Sequence, residues 1–472
     1  MTKFFKSIGS FSLGPIVGAI LSFLTVPIIT HFISPDEYGK ASMFILAQST
    51  VSTVIYLGMD QSFVREFNLM KDNLQKLLVN AMIIPLSLSL IVGLGSIILS
   101  DKVSRILFGT YNEKMAVTAL ALLLPFMVIE TFSLLKIRME ERGLLYSMFT
   151  IILKAIVLVL TVILFLSYEK SFRSVVYAAA MGEILTGMIL YFVVIRKYKF
   201  QRTLLDSKLQ YRMLKFGLPL VPAFAVGWIL TSMDKVMLRT MCTYDELGLY
   251  SAAFKIVSVL SVLQACFTLY WTPVAYRWYQ EEKPGSQYEF VSKIIAILMT
   301  GVCLGVLLFK EVVAIILGSS FRDAINIFPF LLLFPVLYTL SETTGIGIGF
   351  KRKTGYNIVV TLIAGASNIA LNYMLIPVFN GAGAAIATGL SYIAFFWGRT
   401  LISRKLWHKF DLKIYLVVNI VVLANCAVHT FMDGLVPYLV TSFFLIGLVA
   451  VVIIYIRKFN LIGRLKNGEL FR

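Results

Sequence analysis

The sequence predicts an all-α polytopic membrane protein of about fourteen transmembrane helices: two six-helix lobes in parallel repeat, plus a C-terminal helix pair. Three observations predict it. The 472 residues are 58% hydrophobic and 14% charged, with a mean hydropathy of +0.85. Apolar runs of about 20 residues recur from end to end, the length that crosses ~30 Å of hydrocarbon as a helix with its backbone hydrogen bonds satisfied internally. A short acidic, glycine-containing turn is also written twice, as SPDEYGKAS at 34–42 and TYDELGLYS at 243–251.

In chain order, the runs place spans at 8–33, 39–58, 76–99, 115–136, 144–167, 173–195, 213–238, 247–271, 291–317, 323–349, 355–377, 383–402, 412–431 and 434–456. The first follows MTKFFKS. It is longer than a signal-peptide apolar region and lacks a small-residue cleavage site, so it reads as an uncleaved span. An even number of spans puts both ends on one side. With residues towards span ends counted to the adjoining loop, alternate loops divide the lysines and arginines 31 to 10, and Lys154 and Lys255 are left inside spans. Because basic loops stay inside, both termini are expected in the cytoplasm. The net charge of +18 is thereby spread over eight cytoplasmic segments, which argues against a nucleic-acid partner. The longest basic stretch, RKYKFQRTLLDSKLQYRMLK (196–215), reads as a linker lying on the anionic inner leaflet between two halves. Cys242, Cys266, Cys303 and Cys426 have no metal-ligand or disulfide spacing, and no metal or cofactor is expected.

The duplicated turn joins spans 1 and 2, and again spans 7 and 8. An offset of 209 pairs Asp36, Glu37, Gly39 and Ser42 with Asp245, Glu246, Gly248 and Ser251. A looser match relates PFMVIETFSLLKIRMEERG (125–143) to PFLLLFPVLYTLSETTGIGIGFKRKTG (329–355), with Glu130 and Glu342 at an offset of 212. Two copies of six spans keep the same orientation, and such repeats are typical of transporters. The expected division is an N-terminal lobe at 1–200, a second lobe at 201–405, and an extra helix pair with a tail at 406–472. The turn itself reads as a structural corner on the outer side, where glycine permits a tight connection.

VPIITHFISPDEYGKASMF (26–44) and SMDKVMLRTMCTYDELGLYSAAFKI (232–256) resemble the signatures of the polysaccharide transporter family. These are the O-antigen-type flippases of the multidrug/oligosaccharidyl-lipid/polysaccharide exporter superfamily. The resemblance implies a two-lobed alternating-access transporter in the bacterial cytoplasmic (inner) membrane. Such a protein turns an undecaprenyl-pyrophosphate-linked oligosaccharide, an O-antigen or similar repeat unit, to the outer leaflet. The partners it implies are that lipid-linked substrate, membrane lipids and other polysaccharide assembly proteins. Alternatives within the superfamily are a cation-coupled multidrug exporter and a lipid II flippase. Relatives of the second kind carry arginines in their first spans, and 8–33 has none. A membrane polysaccharide polymerase needs a large outer catalytic loop, which the sequence lacks. No G-x-x-x-x-G-K-[ST] loop is present, so ATP hydrolysis by the chain is not expected and the reading is a transporter, not an enzyme.

A charge at mid-bilayer costs about 2.5–3.5 kcal/mol on insertion scales, so each is a functional candidate. Lys154 and Lys255 either face the central cavity and attract the pyrophosphate or an acidic sugar, or are neutralised by buried glutamates. Glu130, Glu183 and Glu342 either carry a coupling proton or balance the lysines. Arg65, Arg138, Arg142 and Arg277 stand at the cytoplasmic mouth; Arg65 and Arg277 are the candidates to receive pyrophosphate, although inside-positive topology would also place basic residues there. Asp234 and Lys235 read as edge residues, with Lys235 snorkelling outward. Tyr270, Trp271 and Trp278 read as interfacial anchors, and GAGAAIATG (381–389) as a close-packing stretch.

Overall fold

A computed structural model describes residues 2–198 and 201–459, and every regular element among them is helical. The helices are α1 Thr2–Phe32, α2 Pro35–Ile55, α3 Met59–Phe67, α4 Leu74–Ile98, α5 Ser100–Phe108, α6 Lys114–Met139, α7 Gly143–Ser167, α8 Phe172–Leu190, α9 Ser207–Gly217, α10 Val221–Met241 and α11 Tyr244–Ser258. They continue as α12 Leu260–Gln280, α13 Gly285–Leu308, α14 Lys310–Leu317, α15 Ala324–Leu331, α16 Leu333–Thr344, α17 Gly347–Phe350, α18 Gly355–Leu406, α19 Lys413–Phe431 and α20 Val436–Phe459.

Twelve helices among the described residues are long and apolar enough to cross a bilayer, and α2 with α3 makes a thirteenth, bent by 55°. The bend falls where Leu57 and Gly58 both take positive φ (46° and 72°), a conformation that ends the helical ladder. The 52-residue α18 is twice the needed length, since ~1.5 Å per residue would carry it ~78 Å. Non-helical Asn380 (φ 49°, ψ −128°) divides it into two arms, each long enough to span. With that division the number agrees with the fourteen read from the sequence.

The helices pack as two compact units: the chain to Val262 with Leu317–Phe321, and Leu263–Ile316 with the chain from Arg322. In the first, α1 runs along α7 because small residues let the backbones touch. The Gly14 N–H donates to Ser147 Oγ at 2.8 Å, and a Cβ on Gly14 would stand 2.6 Å from Ser147 Cα. One turn on, Gly18 faces Thr150 and the Lys154 stem. This four-residue glycine spacing is the close-approach pattern of membrane helices.

The duplicated turn is not a loop corner. Both copies are helix N-termini, capped by Ser34 Oγ accepting from the Glu37 N–H and Thr243 Oγ1 accepting from the Glu246 N–H, each at 3.4 Å. Gly39 and Gly248 are helical, and they lie against one another where α2 crosses α11. A Cβ on Gly39 would run into the Tyr244 carbonyl, and one on Gly248 into that of Pro35. The glycines serve close crossing rather than a tight turn.

The described part of the basic linker is folded onto the first-half helices. Asn80 of α4 donates to the Leu204 carbonyl (2.8 Å) and accepts from the Asp206 N–H (2.9 Å) and Gln210 Nε2 (3.0 Å). Asp206 caps α9, and the Lys76 ammonium 2.7 Å away holds its carboxyl below the usual range. Arg212 pairs with Glu66 at 2.6 Å.

In the second unit, α15–α17 form the most buried candidate span, 83% buried. Trp271 and Trp278 are 2% and 4% exposed, clustered with Tyr288, and Tyr288 in turn packs on Phe350 and Trp407. They are core residues and not interfacial anchors; Tyr270 alone of that trio is exposed. The last pair, α19 and α20, is tied into the same core. Tyr415 donates to Ser292 Oγ (2.7 Å), and Thr441 joins Asn425 (2.8 Å) to His429 (2.7 Å).

Candidate functional site

The site builds from helices of the first unit. The α1–α7 contact sets Lys154 beside Gly18, and the α2–α11 crossing sets α11 and its Lys255 against the same region. Lys154 and Lys255 then line two adjoining cavities. One, about 300 Å³, includes Pro15, Gly18, Ser22 and Ser258. The other, about 190 Å³, includes Ser22, Thr25, Gln48 and Glu183. Lys154 is half-buried and Lys255 is open to the cavity. Neither has an ion-pair partner within 4.0 Å among the described residues.

Behind Lys154 lies a carboxyl pair. Glu183 Oε1 accepts from Gln48 Nε2 at 3.0 Å. Glu130, on α6, is a charged neighbour of Glu183 and of Lys154. The Oε2 atom of each is buried beyond the reach of any donor among the described residues. Tyr56 closes the region, hydrogen-bonded to Thr131 at 2.7 Å.

The remaining candidates lie elsewhere. Glu342 is in the second unit, 2.6 Å from Arg399 Nη1, which also donates to Ser341 Oγ. It therefore has an arginine counter-charge, a partner that a search among the span lysines does not find. Arg65 is exposed, with its guanidinium 4.4 Å from the Phe216 ring centre, and does not line the lysine cavity. Arg277 is exposed in the second unit, 4.0 Å from Glu281. A larger opening of about 490 Å³ between α3 and α9 includes Glu66, Asp206, Lys208 and Arg212, but its acids are matched by Arg212 and Lys76.

Replacing Glu342 with alanine strands a mostly buried guanidinium, and breaking a buried pair from one side costs about 3–5 kcal/mol. A clear drop in melting temperature of the purified protein is the expected result. Unchanged melting, with altered pH dependence of transport, would assign Glu342 to coupling instead.

Lys235 is half-buried on α10. Its ammonium lies 5.3 Å from the Phe254 ring centre, and its charge acts on Lys255. The neighbouring Asp234 is buried, accepting from Tyr250 Oη at 2.6 Å. Sequence reasoning missed Gln48; an amide in mid-span was the available signal.

Residues 4–277 match the model of the family described as polysaccharide biosynthesis protein. A Haloferax volcanii protein named "probable low-salt glycan biosynthesis flippase Agl15" is 24% identical over 170 residues, 35% of this chain. That match spans only 36% of the relative's own length. Among solved structures, a lipid II flippase MurJ in an inward closed conformation superposes with a TM-score of 0.72, at 16% identity over 95% of this chain and 99% of that one. An inward-facing MATE multidrug transporter of the MOP superfamily gives 0.58, at 17% identity over 83% and 96%. At such identities the likeness shows the fold, an all-helical transporter fold of the MurJ and MATE kind.

Proposed function

This chain belongs to the polysaccharide biosynthesis protein family, and from that premise we propose that it is a flippase for an undecaprenyl-pyrophosphate-linked oligosaccharide. The substrate passes from the cytoplasmic to the outer leaflet of a bacterial cytoplasmic membrane, with both termini of the protein inside. Alternating access is worked by two six-helix lobes, 1–200 and 201–405, with 406–472 as an accessory pair and tail. Other polysaccharide assembly proteins supply the lipid-linked unit and consume it on the far side.

The observation that carries this reading is the pair of lysines that line two adjoining cavities with no acidic partner within 4.0 Å among the described residues. An unpaired ammonium there is held against its desolvation cost, and the chemistry that offsets that cost is an anionic ligand. Pyrophosphate oxygens suit a compact, rotatable ammonium donor. Glu130 and Glu183 are the groups we assign to a coupling proton, since both are carboxyls within spans and Glu183 lines the lysine cavity. Glu342, held by Arg399, we place in the supporting structure, and Arg65 and Arg277 in an outer approach to the site at most.

A multidrug exporter shares the fold, so the two readings part on substrate. Mass spectrometry of the lipid fraction from cells lacking the gene decides between them. Accumulation of one undecaprenyl-pyrophosphate oligosaccharide is the expected result. An unchanged lipid pool with altered drug sensitivity would favour the exporter.

A further inference from the structure

We propose that one face of α16, with the second arm of α18, forms a subsite for a sugar ring of the substrate. Tyr338 is the surface on which the ring stacks, and Arg399 is the donor that meets its hydroxyls. The inference rests on reading the chain as a flippase for a lipid-linked oligosaccharide, and it specifies where in the second unit the sugar is held.

The pattern of exposure points to the face. From Ala324 to Phe350 every residue is buried except Asn326, Phe334, Tyr338, Glu342 and Gly349. Phe334, Tyr338 and Glu342 follow one another at four-residue steps, so they lie on one face of α16. The second arm of α18 meets that face in three successive contacts. Tyr392 packs on Phe334 (ring centres 4.7 Å apart), Phe395 on Tyr338 (5.6 Å), and Arg399 pairs with Glu342 (2.6 Å). Packed rings alone describe an ordinary core. What sets these apart is a narrow open stripe in the most buried span, ending in an ion pair whose side chains are 13% and 15% exposed. Hydrocarbon penalises an accessible charge, so the opening that this stripe meets is aqueous.

Tyr338 is fixed as a platform. Its ring lies nearly parallel to Phe395 (14° between planes) and at 82° to Phe334, 6.4 Å away. Phe395 is 6% exposed and packs in turn on Tyr392 at 5.8 Å. One side of Tyr338 is therefore backed by a buried ring, while the residue keeps access to the opening. A ring held in this way loses little side-chain freedom when a ligand settles on it. Aromatic faces carry negative charge density, and a pyranose presents polarised C–H groups on its face with hydroxyls around its edge.

The next turn supplies the donors. Arg399 Nη1 makes both hydrogen bonds of the guanidinium to the protein, to Glu342 Oε1 at 2.6 Å and Ser341 Oγ at 3.0 Å. Gly345 allows this approach, because a Cβ there would stand 2.9 Å from Arg399 Nε. Glu342 thus sets the position of the guanidinium, and Nη2 is the arm of the five-donor fork left for sugar hydroxyls. The same guanidinium lies 5.5 Å from the centre of the Phe395 ring that backs Tyr338, so donor and platform are held as one unit.

The test uses the full-length protein in lipid nanodiscs and two probes, with binding followed by native mass spectrometry. One probe is the undecaprenyl-pyrophosphate oligosaccharide extracted from cells lacking the gene. The other is undecaprenyl pyrophosphate, which has the same lipid and anion and no sugar. Tyr338→Leu keeps apolar bulk but removes the ring; its affinity for the first probe should fall by about 3- to 10-fold, with the second unchanged. Tyr338→Phe keeps the ring and should bind both probes as the unaltered protein does. Arg399→Lys keeps a cation beside Glu342 but loses the fork, and should also weaken the first probe alone. It tests the subsite independently if the leucine variant does not fold. In either variant, an equal loss for the two probes, or no loss, shows packing only and overturns the proposal while leaving the flippase reading in place. A loss in Tyr338→Phe as large as in Tyr338→Leu overturns stacking. If cells lacking the gene accumulate no lipid-linked oligosaccharide, the flippase reading fails and the proposal with it.

Discussion

Alanine at Gly248 is expected to lower the melting temperature of the protein and to reduce export sharply. Gly248 lies where α11 crosses α2, and a Cβ there would run into the Pro35 carbonyl oxygen, a backbone atom that cannot swing aside. Alanine is the better helix former by about 1 kcal/mol. Overpacking costs typically about 1–3 kcal/mol, and the upper end applies when the obstruction is backbone on both sides. The clash therefore outweighs the gain in propensity. Gly39→Ala meets the Tyr244 carbonyl in the same way and should behave alike. A Gly248→Ala protein with unaltered melting and full export would show that the crossing has room which the structure denies.

The crossing also accounts for the acids in the motif. Two helix N-termini brought together oppose their positive dipole ends. Asp36, Glu37, Asp245 and Glu246 lie in those first turns, where negative charge offsets the repulsion. Lys40, 2.5 Å from Asp36, ties the α2 carboxylates in place.

The second large effect is expected from removing the cavity charges. In Lys154→Gln with Lys255→Gln, export should fall by at least tenfold while protein abundance and melting stay near normal. A hydrogen bond to a charged group is worth about 1.5–3 kcal/mol, and 1.4 kcal/mol is a factor of ten, so either lysine alone supplies about an order of magnitude in anion affinity. Stability should hold because neither lysine has an ion-pair partner among the described residues to orphan, in contrast to Glu342. Cell-surface polysaccharide and accumulated lipid-linked intermediate are the readouts. Full export in the double variant would remove the cavity from the substrate's path.

Much of the fold was legible because the bilayer imposes a simple rule, an apolar run of fixed length for each crossing. The rule misses the short α3 that follows the bend at Leu57–Gly58, whereas at α18 it holds, since non-helical Asn380 falls between the spans read at 355–377 and 383–402. Hydropathy averages over such points, since a positive φ at one residue leaves no trace in the mean. The aromatic readings failed for a related reason. Trp271 and Trp278 have the composition of an interfacial belt, but they pack on Tyr288, which connects them to Phe350 and Trp407 from far along the chain.

The site was half legible. Insertion cost alone singles out Lys154, Lys255, Glu130 and Glu183, because each is expensive wherever it points. It could not tell that Glu342 belongs to Arg399, that Lys235 turns towards Phe254, or that Gln48 holds Glu183, since each depends on which faces of separate helices meet.

By itself, the sequence determined a multi-pass helical protein, a D-E-x-G-x-x-S motif written twice, between spans 1 and 2 and between spans 7 and 8, and a short set of intramembrane charges. Those follow from composition and local spacing, which act at every residue independently of the rest. Only the tertiary structure decided that the two copies of the motif lie against each other, glycine on glycine, and that the crossing sets Lys255 around the same cavity as Lys154. The physical reason is that an absent side chain becomes meaningful only when another backbone occupies its place.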